Sequence, residues 1–348
     1  MLISPWYSEA FTHRGLVRTE NQDSYLSDDK NQLWLVADGM GGGKGGALAS
    51  QMLRQAFEDI CLEEGLAARV NQLEQLVLSV NLEIYRYARE TFAGEYMGTT
   101  LVLLNRWQDL GILIWAGDSR CYGLDAGQLQ CLSWDHTQAT ELVKLGQVSE
   151  QEIQKLPKSH AITRAVGLQP DLCLEFQVVN MASWRLLLLC SDGIYGEVSQ
   201  ALMFNCFTGD NSIADKMNLL REKVLQAGAH DNLTVICLYP GQQAPPPGVS
   251  SELVQCNRRL EQLQLDYYLG ETSRENLRGQ REQVLMSVAG SRPEPPTLEI
   301  NSAQVKALYR GEEKKRRQRD PVYVVFITVI ISILLVLSMT FFAVMALG

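Results

Sequence analysis

The sequence predicts an α+β fold in which antiparallel sheets are covered by helices, followed by one membrane-spanning helix. Three observations carry that reading. Apolar runs of strand length succeed one another through short turns, helical stretches arrive in pairs instead of alternating strictly with strands, and residues 322–347 contain no charge.

In chain order, strands are expected over 33–37, 101–106, 111–116, 120–124, 129–132, 174–179, 185–190 and 233–239, each a run rich in Leu, Ile, Val or Trp. Asp125-Ala126-Gly127 is a hairpin turn between two of them. Helical periodicity falls at 47–63, 70–92, 136–145 and 212–227. Residues 1–240 therefore read as one domain. Residues 241–320 read as a linker, because Gln242-Gln243-Ala244-Pro245-Pro246-Pro247-Gly248 cannot continue a strand or a helix. Within it Leu253, Cys256, Leu260, Leu263 and Tyr267 recur at spacings of three and four, a coiled-coil seam of about two heptads. A seam that short is unstable alone in water, so residues 250–268 either pack back on the domain or self-associate with a second copy. Ser291-Arg292-Pro293-Glu294-Pro295-Pro296 opens a tether to the final segment, residues 321–348.

A stretch of about 20 apolar residues spans a bilayer, so 321–348 is read as a transmembrane helix. Lys314-Lys315-Arg316-Arg317-Gln318-Arg319 precedes it. Positive charge marks the cytoplasmic flank, which puts the domain in the cytosol and gives a single-pass C-terminal anchor; no cleaved signal peptide is evident near Met1. The hydrophobic fraction of 46% excludes a disordered chain. Net charge is −13 over residues 1–300 and +4 beyond them, and a body that acidic repels nucleic acid. Eight cysteines without a Cys-x-x-Cys pair indicate reduced, packed thiols, not disulfides or zinc.

Function is signalled by a repeated device in which an apolar run ends on an aspartate beside a glycine. It occurs at Asp38-Gly39, Gly117-Asp118 and Asp192-Gly193, and Asp231 stands just before another apolar run. Each is a strand that carries a carboxylate to a sheet edge. Carboxylates gathered at one edge raise each other's pKa unless a cation joins them, and all-oxygen ligands suit Mg²⁺ or Mn²⁺. Arg18, five residues before Asp23, has the planar guanidinium that grips phosphate in bidentate fashion. The remaining His136, His160 and His230 are dispersed and read as structural, and the glycines at 41–46 lack the Gly-Lys-Ser/Thr of a nucleotide loop.

Read in order, the motifs are Gly15-Leu16-Val17-Arg18 with Asn21-Gln22-Asp23, Val36-Ala37-Asp38-Gly39-Met40-Gly41-Gly42, and Met97-Gly98-Thr99-Thr100. They continue with Gly117-Asp118-Ser119-Arg120, Ser133-Trp134-Asp135-His136-Thr137, Thr163-Arg164-Ala165-Val166-Gly167, Cys190-Ser191-Asp192-Gly193 and Asp231-Asn232-Leu233-Thr234-Val235. This series resembles the metal-dependent Ser/Thr protein phosphatases of the type 2C family, particularly the bacterial branch, across residues 8–240. The resemblance implies a four-layer α-β-β-α sandwich of two antiparallel sheets flanked by helices. It implies a binuclear Mn²⁺ or Mg²⁺ centre, with Asp38, Asp192 and Asp231 on one ion and Asp23, Asp38 and the Gly39 carbonyl on the other. Asp118 with Asp192 matches the position of a third, looser ion in bacterial members. Arg18 matches the residue that grips the substrate phosphate, while Asp38 bridges the ions. Implied too are phosphorylated protein substrates, an opposing Ser/Thr kinase, and hydrolysis by a metal-activated water without a covalent intermediate.

Two positions depart from the pattern. Gly43 stands where the family has a histidine, a candidate acid for the leaving alkoxide, and His13 stands where it has an aspartate. Loss of general acid catalysis slows such reactions by about 100-fold to 10,000-fold unless replaced, and Lys44, His13 or a metal-bound water are the substitutes the sequence leaves open. A second reading follows from Gly43: a binding or regulatory module that keeps the fold but is catalytically impaired.

Overall fold

The apolar runs are strands buried on both faces, which is why they read as continuous hydrophobic stretches and not as alternating ones. The computed structural model of the protein describes residues 5–41, 45–91, 96–125, 127–144, 161–241 and 250–289. Its strands are β1 (Trp6–His13), β2 (Asp23–Asp28), β3 (Leu33–Gly41), β4 (Met97–Thr99), β5 (Leu101–Trp107), β6 (Leu110–Ala116), β7 (Arg120–Leu124), β8 (Leu129–Cys131), β9 (Glu175–Asn180), β10 (Leu186–Cys190) and β11 (Leu233–Pro240). One sheet runs β1-β11-β10-β7-β8. The other runs β2-β3-β5-β6-β9 with β4 paired to β3, and the paired strands are antiparallel throughout.

The two sheets stack face to face. In β3, Trp34 and Val36 point into the layer between the sheets, where they meet Leu187 and Leu189 of β10 and Ile236 and Leu238 of β11. Leu33, Leu35 and Ala37 point outward beneath α1 (Gly45–Ala56) and α2 (Leu66–Thr91). On the opposite side Leu186, Leu188 and Cys190 of β10 lie under α4 (Asp192–Tyr195), α5 (Gln200–Cys206) and α6 (Ile213–Ala227). A further helix, α3 (Gln138–Lys144), follows β8. The expected antiparallel sheets with flanking helices are thus present. At the hairpin expected near 125–127, Asp125 Oδ1 accepts the N–H groups of Gly127 at 2.8 Å and Gln128 at 2.9 Å.

Three expectations are corrected. Strands β1 and β2 lie at sheet edges and pair on one side only, so their polar sequences, Ser8-Glu9 and Ser27-Asp28 among them, hide them from a search for apolar runs. The helix expected over 47–63 stops at Ala56, shortly before Asp59 takes a left-handed φ of 58°. The expected linker contains structure: α7 (Ser251–Tyr268) and α8 (Arg274–Ala289) form a hairpin within the same compact unit as the sheets. Leu253, Cys256 and Leu260 of the predicted seam join Leu285 and Val288 of α8 in one core with Val70, Leu73 and Val77 of α2 and Phe176 and Val178 of β9. Packing back on the domain, the first of the two alternatives for residues 250–268, uses this face inside the chain.

Two polar devices fasten the hairpin. The Asn257 carboxamide accepts the Val178 N–H and donates to the Val178 carbonyl, both at 2.8 Å, closing the open edge of β9 as another strand would. Glu74 of α2 and Arg281 of α8, 2% and 1% exposed, pair at 2.7 Å deep in the interface. Arg278 adds a second guanidinium at 2.7 Å, Asn71 accepts from Arg281, and the Arg281 guanidinium lies 4.4 Å over the Phe176 ring. The expected transmembrane helix lies outside the described residues. Among those described, no helix is long and apolar enough to cross a membrane.

Candidate active site

The stacking of the sheets gathers the strand-end aspartates. Asp23 opens β2 directly opposite Asp38 on β3, Asp118 occupies the turn from β6 to β7, Asp192 opens α4 after β10, and Asp231 precedes β11. The two sheets therefore contribute to one charged cluster, with Ser191 joining them by donating to Asp23 Oδ2 at 2.8 Å. Gly39 follows Asp38 where a Cβ would lie 2.1 Å from the Gly46 carbonyl oxygen, so only glycine lets α1 approach so near. Gly117 adopts φ +110° beside Thr100, which turns the chain sharply enough to present Asp118.

Arg18 lies on a loop that is pinned to the other sheet. Asn232 Nδ2 donates to the Arg14 and Glu20 carbonyls at 2.8 and 2.9 Å, its Oδ1 accepts the Gln22 N–H at 2.8 Å, and the Leu16 N–H donates to Ala229. From this loop Arg18 Nη2 reaches Asp231 Oδ2 at 2.6 Å, with the arginine side chain still 53% exposed. Thr100 anchors Asp38: its Oγ1 accepts the Asp38 N–H at 2.9 Å and its own N–H donates to the Asp38 carbonyl at 2.8 Å. Sequence reading gave no role to Asn232 or Thr100, although each lies inside a quoted motif, because neither carries charge or chemistry of its own. His13 ends β1 and its Nδ1 accepts the Gly15 N–H at 2.9 Å, leaving Nε2 as the ring's donor. Gly43 and Lys44 lie outside the described residues. His136 Nδ1 accepts from the Gly117 N–H and His230 Nδ1 lies 2.9 Å from Glu197 Oε1, while His160 lies outside the described residues.

Burial and, after it, mutual repulsion raise the clustered aspartates. Burial pushes Asp23 up to about 7, Ser191 and Thr234 oppose the shift by hydrogen bonding, and Asp192 and Asp231 add to it by charge. Burial, then Asp192 and Asp135, push Asp118 up to about 7 as well. Asp38 is raised well above the carboxylate range by burial first and then by the charges of Asp23, Asp192 and Asp118. Asp23 Oδ1 and Asp192 Oδ1 are buried without a hydrogen-bond partner. Among the described residues no three His, Cys, Asp or Glu side chains stand as a ready-made ligand set. The donor chemistry nevertheless fits a hard divalent cation: oxygens only, two of them orphaned, in a cluster whose repulsion a cation would relieve.

The protein phosphatase 2C family model matches residues 13–231, a span that encloses all five aspartates and Arg18. The chain belongs to the protein phosphatase 2C family. Among curated members it is 30% identical over 237 residues to the serine/threonine phosphatase stp of Listeria innocua, covering 66% of this chain and 94% of that protein. It is 32% identical over 232 residues to the protein phosphatase PhpP of Streptococcus pneumoniae, covering 64% and 93%. Among solved structures, the serine/threonine phosphatase PstP/Ppp of Mycobacterium tuberculosis superimposes with a TM-score of 0.61 at 29% identity, covering 68% of this chain and all of that one. About a third of this 2C-family chain lies outside each of these matches.

Proposed function

We propose that this protein serine/threonine phosphatase of the 2C family hydrolyses phosphoserine and phosphothreonine on proteins, with Asp23, Asp38, Gly39, Asp118, Asp192 and Asp231 holding two divalent cations and a looser third. The observation that carries the reading is the cluster of mutually repelling aspartates from both sheets with Arg18 at its rim. Bound Mn²⁺ or Mg²⁺ supplies Lewis acidity, making water nucleophilic at neutral pH and offsetting charge on the phosphoryl oxygens.

The chain's own groups do the rest. Arg18 is half exposed, and its bond to Asp231 is an exchangeable surface pair of small net value, so its guanidinium is free to turn to phosphoryl oxygens and orient the phosphate for in-line attack. Asp38 lies where its charge can be shared between neighbouring ions, since Asp23 and Asp192 flank it. Among the described residues, the nucleophile candidates next to Asp192 in sequence, Cys190 and Ser191, are both engaged or buried. Cys190 is fully buried, which raises its thiol away from the reactive thiolate, and Ser191 Oγ is engaged by Asp23 and by the Thr234 N–H. Protein substrates imply a kinase of the opposing activity.

The test is phosphate release from a phosphoserine peptide and from an aryl phosphate. Release should require Mn²⁺ or Mg²⁺ and stop in excess chelator. Arg18→Ala should raise KM for both substrates about tenfold or more while leaving Mn²⁺ affinity equal or slightly improved, because a positive charge leaves the rim. Full activity in chelator, or loss of Mn²⁺ binding in Arg18→Ala with KM unchanged, would overturn these roles.

The charge-free run 322–347 and the basic run before it support a cytoplasmic catalytic domain on a C-terminal membrane anchor. A chain ended before Asp320 should partition into the soluble fraction with unchanged aryl phosphatase activity, whereas the full chain should sediment with membranes and resist protease added to spheroplasts. Cleavage of the domain under those conditions would reverse the topology.

A further inference from the structure

Asp118, in the turn that passes from β6 of one sheet to β7 of the other, and Asp192, just after β7's neighbour β10, repel each other, and one side chain ties their backbones together. Tyr195 lies one helical turn after Asp192 on α4, and its hydroxyl donates to the Asp118 main-chain carbonyl at 2.8 Å. The ring itself is held in place. The Arg120 guanidinium lies 3.6 Å over its centroid and is fixed by a bidentate pair with Asp135 at 2.8 and 2.7 Å and by a bond to the Tyr122 hydroxyl at 3.0 Å. The other side of the turn is fastened too: Gly117 N–H donates to His136 Nδ1 at 3.0 Å, His136 N–H donates to the Gly117 carbonyl at 2.9 Å, and the Ser119 and Thr100 hydroxyls meet at 2.6 Å. Such bracing overdetermines a turn in which Asp118 is only partly buried while Gly117 and Ser119 on either side of it are buried. A turn needed only to connect β6 to β7 would not require an aromatic strap reaching across from the helix that carries Asp192.

We propose that Tyr195 is a positioning residue that sets the spacing of Asp118 and Asp192 and thereby governs divalent-cation binding by that pair. The proposal rests on the reading of the aspartate cluster as a metal centre. Tyr195 touches neither substrate nor the phosphate-gripping Arg18; it acts through the Asp118 backbone, as partners behind metal ligands do, and loss of such partners typically weakens metal binding about 10-fold to 100-fold. Nothing in the sequence marks it beyond its spacing of three from Asp192, which puts both on one face of a helical turn.

The experiment compares Mn²⁺ binding isotherms of the full chain with those of Tyr195→Phe, which keeps the ring over Arg120 and deletes only the hydroxyl. The weakest-binding Mn²⁺ is expected to lose about tenfold in affinity, with the tighter ions unchanged. In an Asp118→Asn background the same substitution should have no further effect on the isotherm. An isotherm unchanged by Tyr195→Phe, equal weakening of every ion, or an undiminished effect in the Asp118→Asn background would overturn the proposal. Absence of Mn²⁺ binding by the wild-type chain would instead sink the metal centre itself, so the two failures are distinguishable.

Discussion

Asp38→Asn is expected to abolish turnover while making the metal-free protein more resistant to heat. Activity should fall on the order of a thousandfold or more, the scale seen when charge-stabilising groups are removed from an active site, and Mn²⁺ affinity should fall with it. Stability should move the other way. Asp38 is raised well above the carboxylate range by burial first and then by three neighbouring aspartates, so an amide, which never ionises, removes the cost of placing a charge there that the wild type retains for function. Burial, with the neighbouring charges adding to it, gives the metal-free wild type a characteristic pH dependence. Asp23 and Asp118 titrate near 7 in the folded chain, far above their unfolded value of 3.8, so the folded state binds more protons and loses stability as pH rises through this interval. The slope is roughly 1.4 kcal/mol per pH unit for each titrating group. Glu74 has the opposite sign, since its pKa is lowered from 4.5, but its contribution is complete above that value. Melting temperature measured in chelator should therefore fall between about pH 5 and 7, and saturating Mn²⁺ should flatten or reverse the trend by favouring ionised aspartates. A flat profile in chelator, or an Asp38→Asn chain that melts earlier than wild type, would contradict this account.

Arg281→Met should cost about 3 kcal/mol, the lower end for breaking a buried ion pair, because Arg278 stays beside Glu74. At roughly 2–4 °C per kcal/mol that is a fall of about 6–12 °C in melting temperature. Burial would raise the Glu74 carboxyl, but the hydrogen bonds and charge of Arg281 and Arg278 outweigh it and hold it below the ordinary range, so removing Arg281 strands much of a charge 2% exposed. Adding Glu74→Gln should recover a large part of the loss. Aryl phosphatase activity at moderate temperature should survive in both variants, since the pair lies between α2 and α8, away from the aspartates. A change of less than about 1 kcal/mol would mean that the Glu74–Arg281 pair contributes little to holding the hairpin.

The particular elements divide cleanly between what the sequence determined and what only folding decided. Strands β3, β5, β6, β10 and β11 were legible because each is buried on both faces and so writes a continuous apolar run, and the aspartates at their ends were legible because a charge beside glycine interrupts such a run abruptly. Strands β1 and β2 were not, since an edge strand pairs on one side and tolerates polar residues. The periodicity of residues 253–267 announced an amphipathic helix but left its partner open, because an apolar seam fits any complementary face. The face that took it belongs to α2 and β9 of the same chain, chosen by Asn257 on the β9 edge and by Arg281 on Glu74, residues 79 and 207 positions apart. The same holds at the site. Sequence marked which carboxylates stand at the ends of apolar runs, since their identity is a local property, whereas their gathering into one cluster and the strap from Tyr195 to Asp118 arise only on folding, and a contact between residues 77 positions apart leaves no local periodicity to read.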